Sequence, residues 1–162
     1  MKKLYNKTYY LNCKLVQLRK SRLNPFIDEV MKLKPKRVLD VGCGLGKMVT
    51  CLRELGVDAW GVDWAQTLKD DFGMKEKHFV IADAQKLPFP DNSFDVVIST
   101  DFFEHLQEED VGTVFKEMRR VGGIVMAHVA YKDVLNSRQM KLHPTNKPVE
   151  WWEEKLKGAI LL

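Results

Sequence analysis

From residue 37 onward the apolar positions fall into two alternating kinds of segment: short unbroken runs, and longer stretches with apolar residues three or four apart. The runs read as strands buried on both faces, and the spaced stretches as helices with one apolar side. In chain order the pattern predicts a strand over Arg37–Val41, a helix over Lys47–Leu55 closed by Gly56, and a strand over Ala59–Val62. A helix over Trp64–Phe72, a strand over His78–Ala82 and a turn-rich stretch over Leu87–Ser93 come next. Strand Phe94–Ser99, helix Gln107–Val121 and strand Gly123–Val129 complete the alternation. Ahead of it, Leu11, Leu15 and Leu18 recur at helical spacing within Tyr9–Lys20, and Asn24-Pro25 opens a second helix that Pro35 stops near Lys34. Trp151–Leu156 reads as a last helix packing its tryptophans on the sheet, and Ile160-Leu161-Leu162 as the start of a sixth strand. Runs such as Val96-Val97-Ile98 and Ile124-Val125-Met126 argue for a parallel sheet covered by helices on both faces. Such sheets bind ligands beyond the carboxyl ends of their strands, where the winding reverses. The loops after Val41, Val62, Ala82 and Ser99 are therefore expected to carry the chemistry.

At 162 residues the chain fits one compact domain, and 45% apolar with 30% charged residues excludes a disordered or collagen-like chain. The longest mainly apolar run, Val121–Tyr131, contains His128 and two glycines and falls well short of the roughly 20 residues of a membrane span. The basic first residues have no apolar stretch behind them, so no secretory signal is visible and cytoplasmic residence is expected. Cys13, Cys43 and Cys51 form no C-x-x-C pair and read as free thiols. His105, His128 and His143 come from a loop, a strand and a tail without short ligand spacing, so no metal is expected, and His128 reads as a core histidine. Residues 1–37 hold 11 basic and 2 acidic side chains, a charge of +9, while the remainder carries −5. That asymmetry suits either an anionic partner or a solvated helical face.

Val38-Leu39-Asp40-Val41-Gly42-Cys43-Gly44-Leu45-Gly46 ends a strand and opens a helix, and its glycines let a ligand approach the backbone closely. A phosphate-cradling loop would need a glycine where Val41 stands and Ser or Thr where Met48 stands. A dinucleotide fingerprint would need its third glycine at Lys47. S-adenosylmethionine carries no phosphate and needs a bare backbone platform with a carboxylate near its ammonium group. Asp40 is placed for that carboxylate, and Asp63, closing the second strand, for both ribose hydroxyls. A nicotinamide cofactor would want the same acid.

Farther along, Ile81-Ala82-Asp83-Ala84 precedes Leu87-Pro88-Phe89-Pro90-Asp91-Asn92-Ser93-Phe94-Asp95-Val96-Val97. With the glycine loop and Gly61-Val62-Asp63, residues 35–130 resemble the class I S-adenosylmethionine-dependent methyltransferases, particularly the group that includes ubiquinone and menaquinone biosynthesis enzymes. The resemblance implies a Rossmann-like three-layer αβα sandwich with a mainly parallel sheet, here shortened at its C-terminal edge. It places Asp40 and the backbone of Gly42, Cys43, Gly44 and Gly46 at the methionine moiety, Asp63 at the ribose, and Trp64 beside the adenine or ribose. Asp83 would accept from the adenine amino group and the Ala84 amide would meet a ring nitrogen, with Ser99 and Thr100 lining the methyl side. Asp101-Phe102-Phe103-Glu104-His105-Leu106 looks like the family's post-strand motif ending in Glu-His-Leu, where acceptor meets sulfonium.

If the acceptor must lose a proton, His105 is the candidate base and Asp101 a candidate acceptor contact, while Glu104 reads more plainly as a first-turn acid complementing the helix dipole. No Asn/Asp-Pro-Pro-aromatic stretch or Pro-Cys pair of the nucleic-acid base methylases is present. The reading is thus a methyltransferase acting on a small molecule, with residues 1–34 as a helical lid segment and 35–162 as the catalytic domain. RNA is a second candidate partner, through Lys7, Lys14, Arg19, Lys20 and Arg22. A non-catalytic S-adenosylmethionine-binding module and a nicotinamide-dependent oxidoreductase are the rival functions.

Overall fold

The computed structural model describes residues 24–70, 77–130 and 143–162, so the helix expected over Tyr9–Lys20 and most of the basic segment lie outside the described residues. The described elements are helix α1 (Asn24–Lys32), strand β1 (Arg37–Val41), α2 (Lys47–Glu54), β2 (Asp58–Asp63), α3 (Gln66–Asp70) and β3 (Phe79–Ile81). They continue with β4 (Phe94–Thr100), a 3₁₀ turn (Phe103–His105), α4 (Glu108–Val121), β5 (Gly122–His128), α5 (Val149–Lys155) and β6 (Ile160–Leu161). The strands form one sheet in the order β3-β2-β1-β4-β5-β6, and every neighbouring pair is parallel. The chain starts at the middle of the sheet, winds outward to β3 and then returns to β4 on the other side of β1. The winding therefore reverses between β1 and β4, which creates a crevice beyond their carboxyl ends.

Alternation along the strands divides the core between the two faces. Leu39, Val41, Val97, Val125 and Ala127 face Val111, Val114, Met118 and Val121 of α4, together with Trp152 and Leu156. Val38, Val96, Ile98 and Met126 face Phe26, Ile27 and Val30 of α1 and Met48, Val49 and Leu52 of α2. The register makes these rows continuous, since Val38 lies beside Val96 and Leu39 beside Val97. Strands wetted on neither face have no polar side to show, which is why they appear in the sequence as unbroken apolar runs. Because α1 inserts Phe26, Ile27 and Val30 into the second cluster, residues 24–32 belong to the sandwich, and residues 1–23 of the expected lid lie outside the described residues.

Of the two tryptophans expected to pack on the sheet, Trp152 is fully buried, whereas Trp151 is half-buried and lies under the ammonium groups of Lys147 and Lys155. The expected sixth strand is present, with Ile160 and Leu161 registered beside Met126 and Ala127.

The turn-rich residues 87–93 have carbonyl groups that no strand ladder satisfies, and Arg120 of α4 supplies the donors. Its Nη1 donates to Phe89 O at 2.9 Å and Asp91 Oδ1 at 2.7 Å, and its Nη2 to Leu87 O at 3.0 Å. Glu117 holds the guanidinium in place through two further bonds of 2.8 Å and also accepts from Leu87 N at 2.9 Å. A planar fork is needed here, because three acceptors in two directions exceed what an ammonium reaches in one geometry. Arg120→Ala is expected to cost about 2 kcal/mol, roughly 4–8 °C in melting temperature, and Arg120→Lys to recover less than half of it. Thermal melts of the two variants measure this, and full recovery by lysine would contradict the account.

Candidate functional site

At the end of β1 the backbone turns sharply, and Gly42 N and Cys43 N both donate to Val62 O, at 2.9 and 3.1 Å. Gly42, Gly44 and Gly46 have φ of 76°, 51° and 67°, the left-handed region that side chains disfavour. Gly42 is fixed for a second reason. A Cβ there would fall 2.3 Å from Cδ2 of Phe102, whose ring leans across from the loop after β4. Gly61 plays the matching part beneath the loop, since a Cβ on it would approach Cys43 Sγ to 2.7 Å. The Cys43 side chain is thereby buried, its thiol is pushed well above the ordinary range by that burial, and only its backbone is offered to the rim.

Asp63 closes β2 and braces this loop. Its Oδ2 accepts from Gly44 N and its Oδ1 from Ala65 N, both at 3.0 Å. Asp40, one strand away and 3% exposed, differs: its Oδ1 is buried with no hydrogen-bond partner. Burial first, and the nearby Asp63 charge second, push the Asp40 carboxyl up to about 7. Asp83 follows β3 on the third adjacent strand, is exposed, and directs Oδ1 to Gln85 N at 2.9 Å in a tight turn. Trp64 and Ala84, both half-buried, follow Asp63 and Asp83 directly. With neighbouring strands about 4.8 Å apart, the three carboxylates are spread over roughly 10 Å of one rim.

The other side of the crevice is built by the loop after β4. Thr100 ends that strand half-buried beside His128, the last residue of β5. Asp101 takes a left-handed φ of 51°, unusual for a residue with a side chain, and its N donates to His128 O at 3.1 Å. Its Oδ1 lies 2.9 Å from His128 Nδ1. His128 is thus no core histidine, because β5 ends there and its side chain is 46% exposed at the rim. Phe103, fully buried, anchors the 3₁₀ turn. Glu104 is not a first-turn acid of α4, a role taken by Glu108, Glu109 and Asp110. It is 1% exposed, accepts from Ala130 N at 3.1 Å through Oε1, and is pushed up to about 7 chiefly by burial. His105 is half-buried, its ring edge-on to that of His143 at 5.0 Å.

A known family of methyltransferase domains matches residues 39–127, which contain the glycine loop, Asp40, Asp63, Asp83 and the loop after β4. The chain belongs to that family. It is 35% identical over 130 residues to ajmaline N-methyltransferase of Rauvolfia serpentina, covering 70% of this chain and 43% of that protein. Against demethylmenaquinone methyltransferase of Thermus thermophilus the identity is 30% over 110 residues, covering 62% of this chain and 50% of that one. The crystal structure of a SAM-dependent methyltransferase from Archaeoglobus fulgidus superposes with a TM-score of 0.56 at 29% identity, covering 65% of this chain and 48% of that one. The chain therefore spans about half the length of the relatives it matches.

S-adenosylmethionine, the cofactor of such methyltransferase domains, suits this rim on three counts. Asp40 has an oxygen lacking a donor, which an ammonium group supplies. The left-handed glycines present backbone without side chains. Asp63, closing β2, and Asp83, in the turn after β3, add carboxylates along the same rim. The residues missed from sequence are His128 and His143. His128 continues the apolar run of β5, and only the pairing of that strand with β4 sets it beside Thr100 at the rim, whereas no local signal points to His143.

The Asp40 carboxyl gives this methyltransferase domain a measurable pH signature. With its folded pKa raised from 3.8 to about 7, the folded chain holds a proton there that the unfolded chain has released. This group's contribution is complete below about pH 4 and is lost as pH rises to about 7. Relative to Asp40→Asn, the ligand-free wild-type chain is expected to lose on the order of 3 kcal/mol across that window. Urea unfolding of both chains at pH 4.5 and 7.5 measures it, and parallel pH profiles would refute the assignment.

Proposed function

We propose that the protein is an S-adenosylmethionine-dependent methyltransferase acting on a small molecule, with Asp40, Asp63, Asp83 and the 42–46 backbone as the cofactor side and Asp101 with His128 as the acceptor side. The observation that carries this reading is the buried, partnerless Asp40 oxygen beside a glycine loop held open by Asp63. When bound, S-adenosylmethionine supplies a methyl group on a sulfonium for in-line transfer to a nucleophile. Asp40 meets the ammonium group, Asp63 the ribose hydroxyls, Asp83 the adenine amino group and the Ala84 amide a ring nitrogen. Trp64 packs beside the nucleoside, and Thr100 lines the methyl side. The chain's main task is alignment and exclusion of water, because charge on sulfur disperses as the bond breaks. Phe102, leaning on Gly42, walls the crevice from the acceptor side.

Where the acceptor must lose a proton, His128 receives it, oriented by the 2.9 Å contact of its Nδ1 with Asp101. His105 is the competing base. It stands one turn farther along, and its 5.0 Å contact with the buried His143 favours His128 instead. A quinone-type acceptor is supported by the resemblance to demethylmenaquinone methyltransferase, an amine acceptor by that to ajmaline N-methyltransferase. Screening both classes with methyl-labelled cofactor tests the activity, and absence of transfer despite cofactor binding would favour a non-catalytic binding module. Salt-dependent RNA binding and methylation would replace the small-molecule reading.

Binding of S-adenosylhomocysteine by calorimetry is expected to weaken below about pH 7 by up to tenfold per unit, because the ammonium displaces the Asp40 proton. Asp40→Asn should abolish that dependence, and Asp63→Ala should weaken binding about ten- to a hundredfold. Tight NADH binding with none of S-adenosylhomocysteine would overturn the cofactor assignment. With an acceptor in hand, His128→Ala is expected to lower kcat about a hundredfold while leaving cofactor affinity unchanged. Loss in His105→Ala instead would move the base to His105.

A further inference from the structure

Beside the acceptor side, three metal-ligating side chains from sequence positions 39 residues apart meet in the interior. Glu104 and His105 come from the 3₁₀ turn after β4, and His143 from the stretch preceding α5. One ligand atom from each lies within 4.8 Å of the other two. Glu104 is 1% and His143 4% exposed, yet Glu104 Oε2 and His143 Nδ1 are both buried without a hydrogen-bond partner. Two neighbouring orphans of this kind are unusual, since each unmade hydrogen bond is costly and native interiors leave few of them.

We propose that Glu104, His105 and His143 form a binding site for a divalent transition-metal cation of the zinc class. Two imidazoles with one carboxylate are a donor set suited to zinc and its borderline neighbours, whereas calcium and magnesium prefer oxygen alone and monovalent copper prefers sulfur. The surroundings are arranged as a ligand set requires. Ala130 N donates to Glu104 Oε1 at 3.1 Å, orienting the carboxylate from its far side. Thr145 N donates to Glu104 O at 3.4 Å and Thr145 Oγ1 to Leu106 O at 2.8 Å, so the strand of chain carrying His143 is already fastened to the 3₁₀ turn. A cation here clasps the segment before α5 to the turn after β4, next to the Asp101–His128 pair. The expectation of no metal arose from histidines lacking short spacing. The structure supplies the third ligand, Glu104, and leaves His128 out of the set. This site stands independently of the methyl-transfer reading.

The test uses the full 162-residue chain, stripped with a chelator and then titrated with Zn²⁺ by calorimetry and with Co²⁺ by absorbance. The expected result is one equivalent bound, a cobalt spectrum without thiolate charge-transfer bands, and a zinc-dependent rise in melting temperature that chelator reverses. Glu104→Gln and His143→Gln are expected to weaken zinc binding at least about tenfold and to lose the rise in melting temperature. Circular dichroism confirms that the variants compared are folded, and His105→Gln serves as the third variant should either buried substitution prevent folding. Absence of zinc binding, binding undiminished in the folded variants, or thiolate bands that trace the metal to cysteine would each overturn the proposal.

Discussion

Two carboxylates, Asp40 and Asp63, are held on neighbouring strands at the end of an apolar sheet, and the loops around that rim are organised by the unfavourable pairing. Neither is exposed to bulk water, so each requires a donor or a proton. Asp63 obtains backbone donors from Gly44 and Ala65. Those bonds fix the glycine loop against β2, with Gly61 leaving space for Cys43 beneath it. Asp40 keeps one oxygen without a partner and its carboxyl is pushed to about 7. A cationic ligand would offset that cost, and below about pH 7 a proton takes its place.

The sandwich makes this arrangement durable. Residues of one parity on β1, β4 and β5 are buried under α4 and α5, and those of the other parity under α1 and α2. The strand ends are thereby held rigidly while the loops beyond them carry polar groups. The reversal of winding between β1 and β4 brings the loops after these strands face to face, and the packing of Phe102 on Gly42 joins them. Across the crevice the strained Asp101 backbone persists because His128, at the end of the next strand, bonds both its backbone and its side chain.

Most of the fold could be read from hydrophobic spacing because both faces of the sheet are dry. The bounds of β1 match the expectation, β4 runs one residue farther at its end, and β5 is shifted one residue earlier at both ends. The three rim carboxylates were legible for a related reason: Asp40 stands one residue before the end of β1, Asp63 ends β2 and Asp83 follows β3, and parallel topology sends such positions to one rim. What was illegible depends on tertiary contacts. His128 follows an apolar run and looked interior, yet a strand's pattern does not mark where its covering helices stop. Glu104 carries a charge and stands just before a helix, so a solvated helix-terminus acid was the natural expectation, while the fold buries it against Ala130. His143 becomes relevant only through its approach to residues 104 and 105, a pairing that no sequence period encodes.

The cofactor assignment requires S-adenosylmethionine to lie along the rim formed by β1, β2 and β3. A crystal structure of the protein with S-adenosylhomocysteine tests it most directly. The predicted result is electron density with the ammonium group at Asp40, the ribose at Asp63 and the adenine at Asp83. A ligand bound elsewhere, or an intact crystal at saturating concentration with this rim unchanged, would contradict it.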